Sequence, residues 1–267
     1  MNLRENILDA IKYPISDTRK FLIFCALIIL MTLSTVIPSY GINNETLSIF
    51  LALVTLIVLF IVLGYLIEVI KCSTEGEDIL PDFDYVKHFV IGVKAMILDL
   101  IYFIIPLIIA ILVASATGLF TSFTKIVDNS TEAIINGSTN LTMIMAAIPK
   151  PLMNTFYNAL TVTLIVATIL FIIFSFISFT AMVRFAKSGS GTEGLRFIEI
   201  INDMRKIGIV KILVTLIAIY LIALATIALI GLVGLIPYIG VFIGIYLGLP
   251  FMLLFVFRAI GLLYANT

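Results

Sequence analysis

In the stretch EGEDILPDFDYVKH, Glu75 to His88, five carboxylates and the only histidine of the chain fall within fourteen residues. Residues of these types suit two chemistries, capture of a divalent cation and proton transfer between imidazole and carboxylate. The spacing argues against both. A calcium loop needs a ligand at about every second position over twelve and a closing glutamate, which Glu75, Glu77, Asp78, Asp82 and Asp84 do not supply. Zinc wants more than one nitrogen or sulfur ligand, and His88 stands alone. Gly76, Pro81 and the acids at 82 and 84 read instead as one helix ending and another beginning, where free backbone N–H groups favour negative charge. The expectation is a turn feeding an interfacial helix, with His88 on its polar face or margin.

The elements that position these groups are membrane helices. With 62% hydrophobic and 12% charged residues, a chain of 267 has too little polar surface to cover a water-soluble globule. Apolar runs near 21–37, 47–70, 95–119, 157–183, 211–233 and 239–263 approach or exceed the roughly 20 residues that cross a bilayer as a helix. The expected fold is all-α, a polytopic transmembrane helical bundle of six spans forming one domain over 1–267. Residues 120–156 are expected to be an extracytoplasmic loop insertion with partial helix, since structureless loops of that length are uncommon. The N-terminal head mixes Arg4, Lys12, Arg19 and Lys20 with Glu5, Asp9 and Asp17, and no small-x-small site follows, so the first run reads as a retained span.

Sixteen basic and sixteen acidic residues cancel, which gives no electrostatic case for nucleic acid. Their placement is more informative than their sum. Segments 1–20, 71–94 and 184–211 hold 13 of the 16 Lys and Arg residues, leaving Lys125 and Lys150 outside and Arg258 within the last span. The positive-inside rule then predicts a cell-membrane protein with both termini in the cytoplasm. Four Asn-x-Ser/Thr matches, at Asn44, Asn129, Asn136 and Asn140, all fall in the expected outer loops and are candidate glycan acceptors, although polar loops are rich in these residues anyway.

Three amphipathic segments precede spans one, three and five. Leu3, Ile7 and Ile11, then Phe83, Val86, Val90 and Val93, then Phe197, Ile201 and Met204 recur at helical spacing, which suits either the inner interface or packing on the bundle. The order of segment, span, turn, span suggests three related hairpins. A shift of 116 aligns Lys71 with Lys187, Glu77 with Glu193, Ile91 with Ile207 and Gly92 with Gly208, and VIPSYG at 36–41 echoes LIPYIG at 235–240.

Ionisable groups in spans are the remaining chemistry, because a charge near the bilayer centre is costly. Glu68, Asp99, Arg184 and Arg258 all belong to the inner-leaflet ends of their spans and form a candidate charge cluster, with Asp99 and Arg258 as an ion pair; each could equally snorkel to the interface. Cys25 in a span and Cys72 in an inner loop read as ordinary thiols. Gly240, Gly244 and Gly248 form a small-xxx-small ridge for helix packing, and Pro106, Pro237 and Pro250 read as kinks or hinges.

GYLIEVIKCSTEGEDILPDFDY with VIGVKAMILDLIYFIIP, the opening AIKYPISDTRK and the ending FRAIGLLY resemble a family of prokaryotic, largely archaeal, membrane proteins known as domain of unknown function 4013. The resemblance implies a multi-helix membrane domain and carries over no catalytic residue or cofactor. Glu68 stands where a basic residue of the family is expected. The P-loop, nucleophile-elbow, zincin and CxxC motifs are absent. The expected role is therefore non-catalytic: a scaffold, lipid-interacting or envelope-assembly component. Its expected partners are membrane lipids and a membrane protein or a second copy, with a small-solute transporter and then a membrane enzyme as alternatives.

Overall fold

A computed structural model describes residues 3–42, 44–138, 140–236 and 239–265, and helices account for most of them. In chain order these are α1 Leu3–Lys12, α2 Thr18–Ser39, α3 Glu45–Glu75, α4 Tyr85–Ala116, α5 Leu119–Ile135, α6 Leu141–Ala147, α7 Lys150–Ser188, α8 Phe197–Ile207, α9 Ile209–Val233, α10 Ile239–Ile243 and α11 Leu249–Leu263. Short 3-10 turns occupy Tyr13–Ile15 and Glu193–Leu195, and a π turn at Gly244–Gly248 joins α10 to α11. Among the described residues, α2, α3, α4, α7, α9 and the run Gly244–Leu263 are the six helices long and apolar enough to cross a membrane. The chain is thus an all-α polytopic bundle. At 39 residues α7 is about 58 Å long, nearly twice a bilayer core of about 30 Å, so it reaches well beyond the hydrocarbon.

Local chemistry sets the helix ends. Asp17 accepts from the Lys20 N–H at 3.1 Å and starts α2, and Asn44 accepts from the Leu47 N–H at 3.0 Å and starts α3. Gly76, at φ +82°, ends α3 in the left-handed region where a side chain would be strained. Asp84 accepts from the Lys87 N–H at 3.0 Å and begins α4. Helix α4 then runs unbroken to Ala116, so the interfacial helix expected over 82–94 is the first part of span three rather than a separate element. Nothing in VIGVKAMIL interrupts the ladder, and Pro106 lies inside the same helix without ending it. Cys72, expected in a loop, sits buried in the last turns of α3. Pro237 lies outside the described residues.

The chain forms two compact units, Met1–Asp99 with Ser178–Thr267, and Leu100–Ile177. In the first, Phe24 and Ile28 of α2, Val62, Tyr65 and Val69 of α3, Leu80 and Leu254 form the core. Lipid tails are as apolar as these side chains, so close backbone approach matters as much as burial. Gly64 of α3 and Gly92 of α4 provide it: a Cβ at either would overlap the main-chain carbonyl of His88 or Phe60, respectively. Gly261 lets α11 lie against Ser73 and within reach of the Ile70 carbonyl of α3. Gly244 and Gly248 face Ile230 of α9, and Gly240 faces the Val233 carbonyl.

In the second unit the segment 120–156 is folded as α5, α6 and the start of α7. Phe103 stacks on Phe171 with ring centroids 5.8 Å apart, and Phe123 lies 6.4 Å from Phe156. The Thr117 and Thr163 hydroxyls meet at 3.5 Å. Sequons follow this helical geometry. Asn129 lies within α5 and donates to the Lys125 carbonyl, Asn136 is exposed at the α5 terminus, and Asn140 is exposed with its side chain capping α6. In the first unit, exposed Asn44 caps α3.

Candidate functional site

Residues 77–84, between α3 and α4, have no regular secondary structure, so their backbone polar groups need partners from elsewhere. Four elements supply them. The Glu77 N–H donates to the Cys72 carbonyl at 2.9 Å, and its own carbonyl accepts from Arg258 Nη1. Tyr13 Oη donates to the Ile79 carbonyl at 3.3 Å, the Leu80 N–H donates to Ser16 Oγ at 3.2 Å, and Lys20 Nζ donates to the Leu80 carbonyl at 2.7 Å. Tyr65 Oη donates to the Pro81 carbonyl at 3.2 Å, while its ring stacks in parallel on Phe83 at 4.1 Å. Leu80 closes the arrangement by burying its side chain in the core. The acidic loop is thereby fixed along its length.

Arg258 is the centre of this site. It is 1% exposed, which in a transmembrane helix demands compensation. Nη2 lies 2.8 Å from Asp9 Oδ2 of α1 and 2.8 Å from Asp78 Oδ1 of the loop, and the guanidinium sits 4.4 Å over the Tyr13 ring. One side chain on α11 therefore holds α1 and the 77–84 loop together. Around it, Asp9, Ser73, Thr74, Glu75, Gly76, Asp78 and Leu262 line a cavity of about 550 Å³. Burial pushes the Tyr13 phenol above its ordinary range, keeping it neutral as a donor. The Lys20 ammonium, 2.8 Å from Asp82, holds that carboxyl below its ordinary range.

The four charges expected to cluster are separated among different partners. Arg258 pairs with Asp9 and Asp78, so the expected Asp99–Arg258 pair is replaced: those two acids lie outside the spans and within reach of the buried fork. Asp99 of α4 accepts instead from Ser178 of α7 at 2.6 Å. Glu68 of α3 pairs with Lys87 of α4 at 2.8 Å, beside the Gly64–His88 crossing. Arg184 of α7 binds Glu193 at 2.9 Å and Asp203 of α8. Each charge ties two elements together.

His88 is a second correction. It is 1% exposed, edge-on to Tyr65 at 5.3 Å and to Phe83 at 6.2 Å, and its Nδ1 has no hydrogen-bond partner among the described residues. Val86 and Val90, expected either at the inner interface or packed on the bundle, are exposed, so of the two they do not pack on the bundle. The contact side of α4 is chosen by Gly92, which turns His88 inward and the valines outward. The loop's anchors, Asp9, Tyr13, Ser16 and Lys20, are the functional residues the charge argument missed. They are spaced four, three and four apart, but α1 ends at Lys12 and Asp17 is extended, so no single helix carries them and nothing in the sequence marks the loop as their target.

A family model described as Protein of unknown function (DUF4013) matches residues 47–237. No curated protein and no solved structure matches the chain.

Proposed function

The chain belongs to the DUF4013 family, and on that premise we propose that it is a non-catalytic membrane scaffold that interacts with lipid, set in the cell membrane with both termini in the cytoplasm. The carrying observation is that Glu68, Asp99, Arg184 and Arg258 are each engaged in a tie between two elements. Charges so engaged serve to hold an assembly surface in shape. Lipid contact is supported by α1 and α8, whose exposed Leu8 and Ile11, and Phe197 and Ile198, project beside basic residues such as Lys12 and Arg196.

Intact protein, gently extracted from its membrane and weighed by native mass spectrometry, is expected to carry a protein or lipid at fixed stoichiometry. A bare chain that passes small solutes across liposomes would overturn the proposal in favour of a transporter. Orientation has a separate test. Cys25 and Cys72 are buried, so a single exposed thiol can be read above a low background. Ser190→Cys is expected to react with an impermeant maleimide only after the cells are opened, and Gly137→Cys in intact cells; the reverse pattern would invert the topology.

A further inference from the structure

We infer that the cavity bounded by the end of α7, α8 and the end of α11 is a site for the phosphate of an anionic lipid headgroup. The inference rests on the lipid-interacting reading above and names the ligand. The cavity has a volume of about 450 Å³, within the range of small-ligand sites, and Arg184, Lys187, Lys206 and Tyr264 stand in its wall.

Its charges do not cancel. Arg184 binds Glu193 and Asp203, Arg196 lies 3.0 Å from Glu193, and Lys206 lies 3.6 Å from Asp203. Lys187 adds a further cation, and the nearest partner of its ammonium is the neutral carbonyl of Tyr264 at 3.4 Å. Among the described residues, Lys187 forms no ion pair, so the three cations of the cavity wall, Arg184, Lys187 and Lys206, face two carboxylates, Glu193 and Asp203. The Arg184 fork engages Nε, Nη1 and Nη2 once each, which leaves two of its five N–H groups for another acceptor. Rigid walls frame these donors: Thr180 is fully buried and its hydroxyl meets that of Tyr264 at 2.7 Å. Burial pushes the Tyr264 phenol up to about 12, so it adds no negative charge at neutral pH.

Position favours a lipid as the source of the anion. Arg184 and Lys187 lie in the last two turns of one helix long and apolar enough to span, and Tyr264 directly follows another; on the proposed topology these ends stand at the inner interface, where headgroup phosphates lie. Exposed Phe197 and Ile198 at the start of α8 sit beside Arg196 in sequence, giving acyl chains an apolar surface next to the basic one. A free phosphate would use the same donors but gain nothing from those side chains.

The test places full-length protein in nanodiscs of phosphatidylcholine with a minor share of phosphatidylglycerol, and counts retained lipids by native mass spectrometry. Lys187→Gln with Lys206→Gln is expected to weaken retention of phosphatidylglycerol roughly tenfold to thirtyfold. The exposed Arg19→Gln is expected to change it less than about twofold, as a general surface charge does. Helicity and unfolding temperature matching the parent establish that the double variant is folded; where they fall, Lys187→Gln alone is read, with an expected loss of about fivefold. Retention equal to the parent in a folded variant would overturn the inference. Displacement of phosphatidylglycerol by millimolar inorganic phosphate would overturn the lipid assignment and identify a free-anion site. Solute flux would sink the scaffold reading without altering this measurement, so the two failures are distinguishable.

Discussion

Arg258→Met is expected to destabilise the protein by about 2–3 kcal/mol, seen as a fall of roughly 5–10 °C in the unfolding temperature of the detergent-extracted protein. Removing one partner of a buried ion pair costs more where the remaining partners stay desolvated. Here Asp78 is 82% exposed and rehydrates, whereas Asp9 is 28% exposed and the Glu77 carbonyl loses its donor, so the effect lies below that of a fully buried pair. Arg258→Lys retains charge but not the planar fork, and is expected to recover less than half of the loss. Pairing Asp9→Asn with Arg258→Met is expected to cost less than the sum of the two single losses, because the first change removes the stranded carboxylate. An Arg258→Met protein that unfolds at the parent temperature would show that the tie contributes nothing to stability.

A larger loss is expected from Gly92→Ala and from Gly64→Ala, at least about 3 kcal/mol each and measured as depleted monodisperse protein together with a lowered unfolding temperature. Each new methyl would meet a main-chain carbonyl, which cannot swing aside as a side chain does. Helices α3 and α4 would have to separate, pulling the Glu68–Lys87 pair beyond contact and opening the ring packing around His88. Gly231 of α9, which has open space around it, is the control: Gly231→Ala is expected to be neutral or to stabilise by up to about 1 kcal/mol. Equal behaviour of all three variants would refute backbone contact as the basis of the α3–α4 crossing.

The spans are legible because hydrophobic length is a local property. An apolar run of the right length reads as a crossing whatever lies elsewhere, and the caps at Asp17, Asn44, Gly76 and Asp84 are equally local. What the sequence conceals is pairing over distance. Charge counting within spans favours Asp99 as the partner of Arg258, since the acids that do bind it lie in α1 and the 77–84 loop and carry no mark of their destination. The glycine contact between α3 and α4 is hidden for the same reason: Gly64 and Gly92 belong to different helices and form no repeat. His88 then follows the glycines inward against the polarity of its own segment. The continuity of α4 is concealed by the opposite error, a change of composition near Lys94 that does not mark a helix end.

The tie at Arg258 also has an order in time. Arg258 lies 180 residues after Asp78 and 249 after Asp9, so at biosynthetic rates of about 5–20 residues per second the loop waits roughly 10–40 s for its cation. Throughout that interval both carboxylates and the Glu77 carbonyl lack the guanidinium. A nascent chain halted before α11 would therefore carry an unsealed polar end, which insertion of α11 closes.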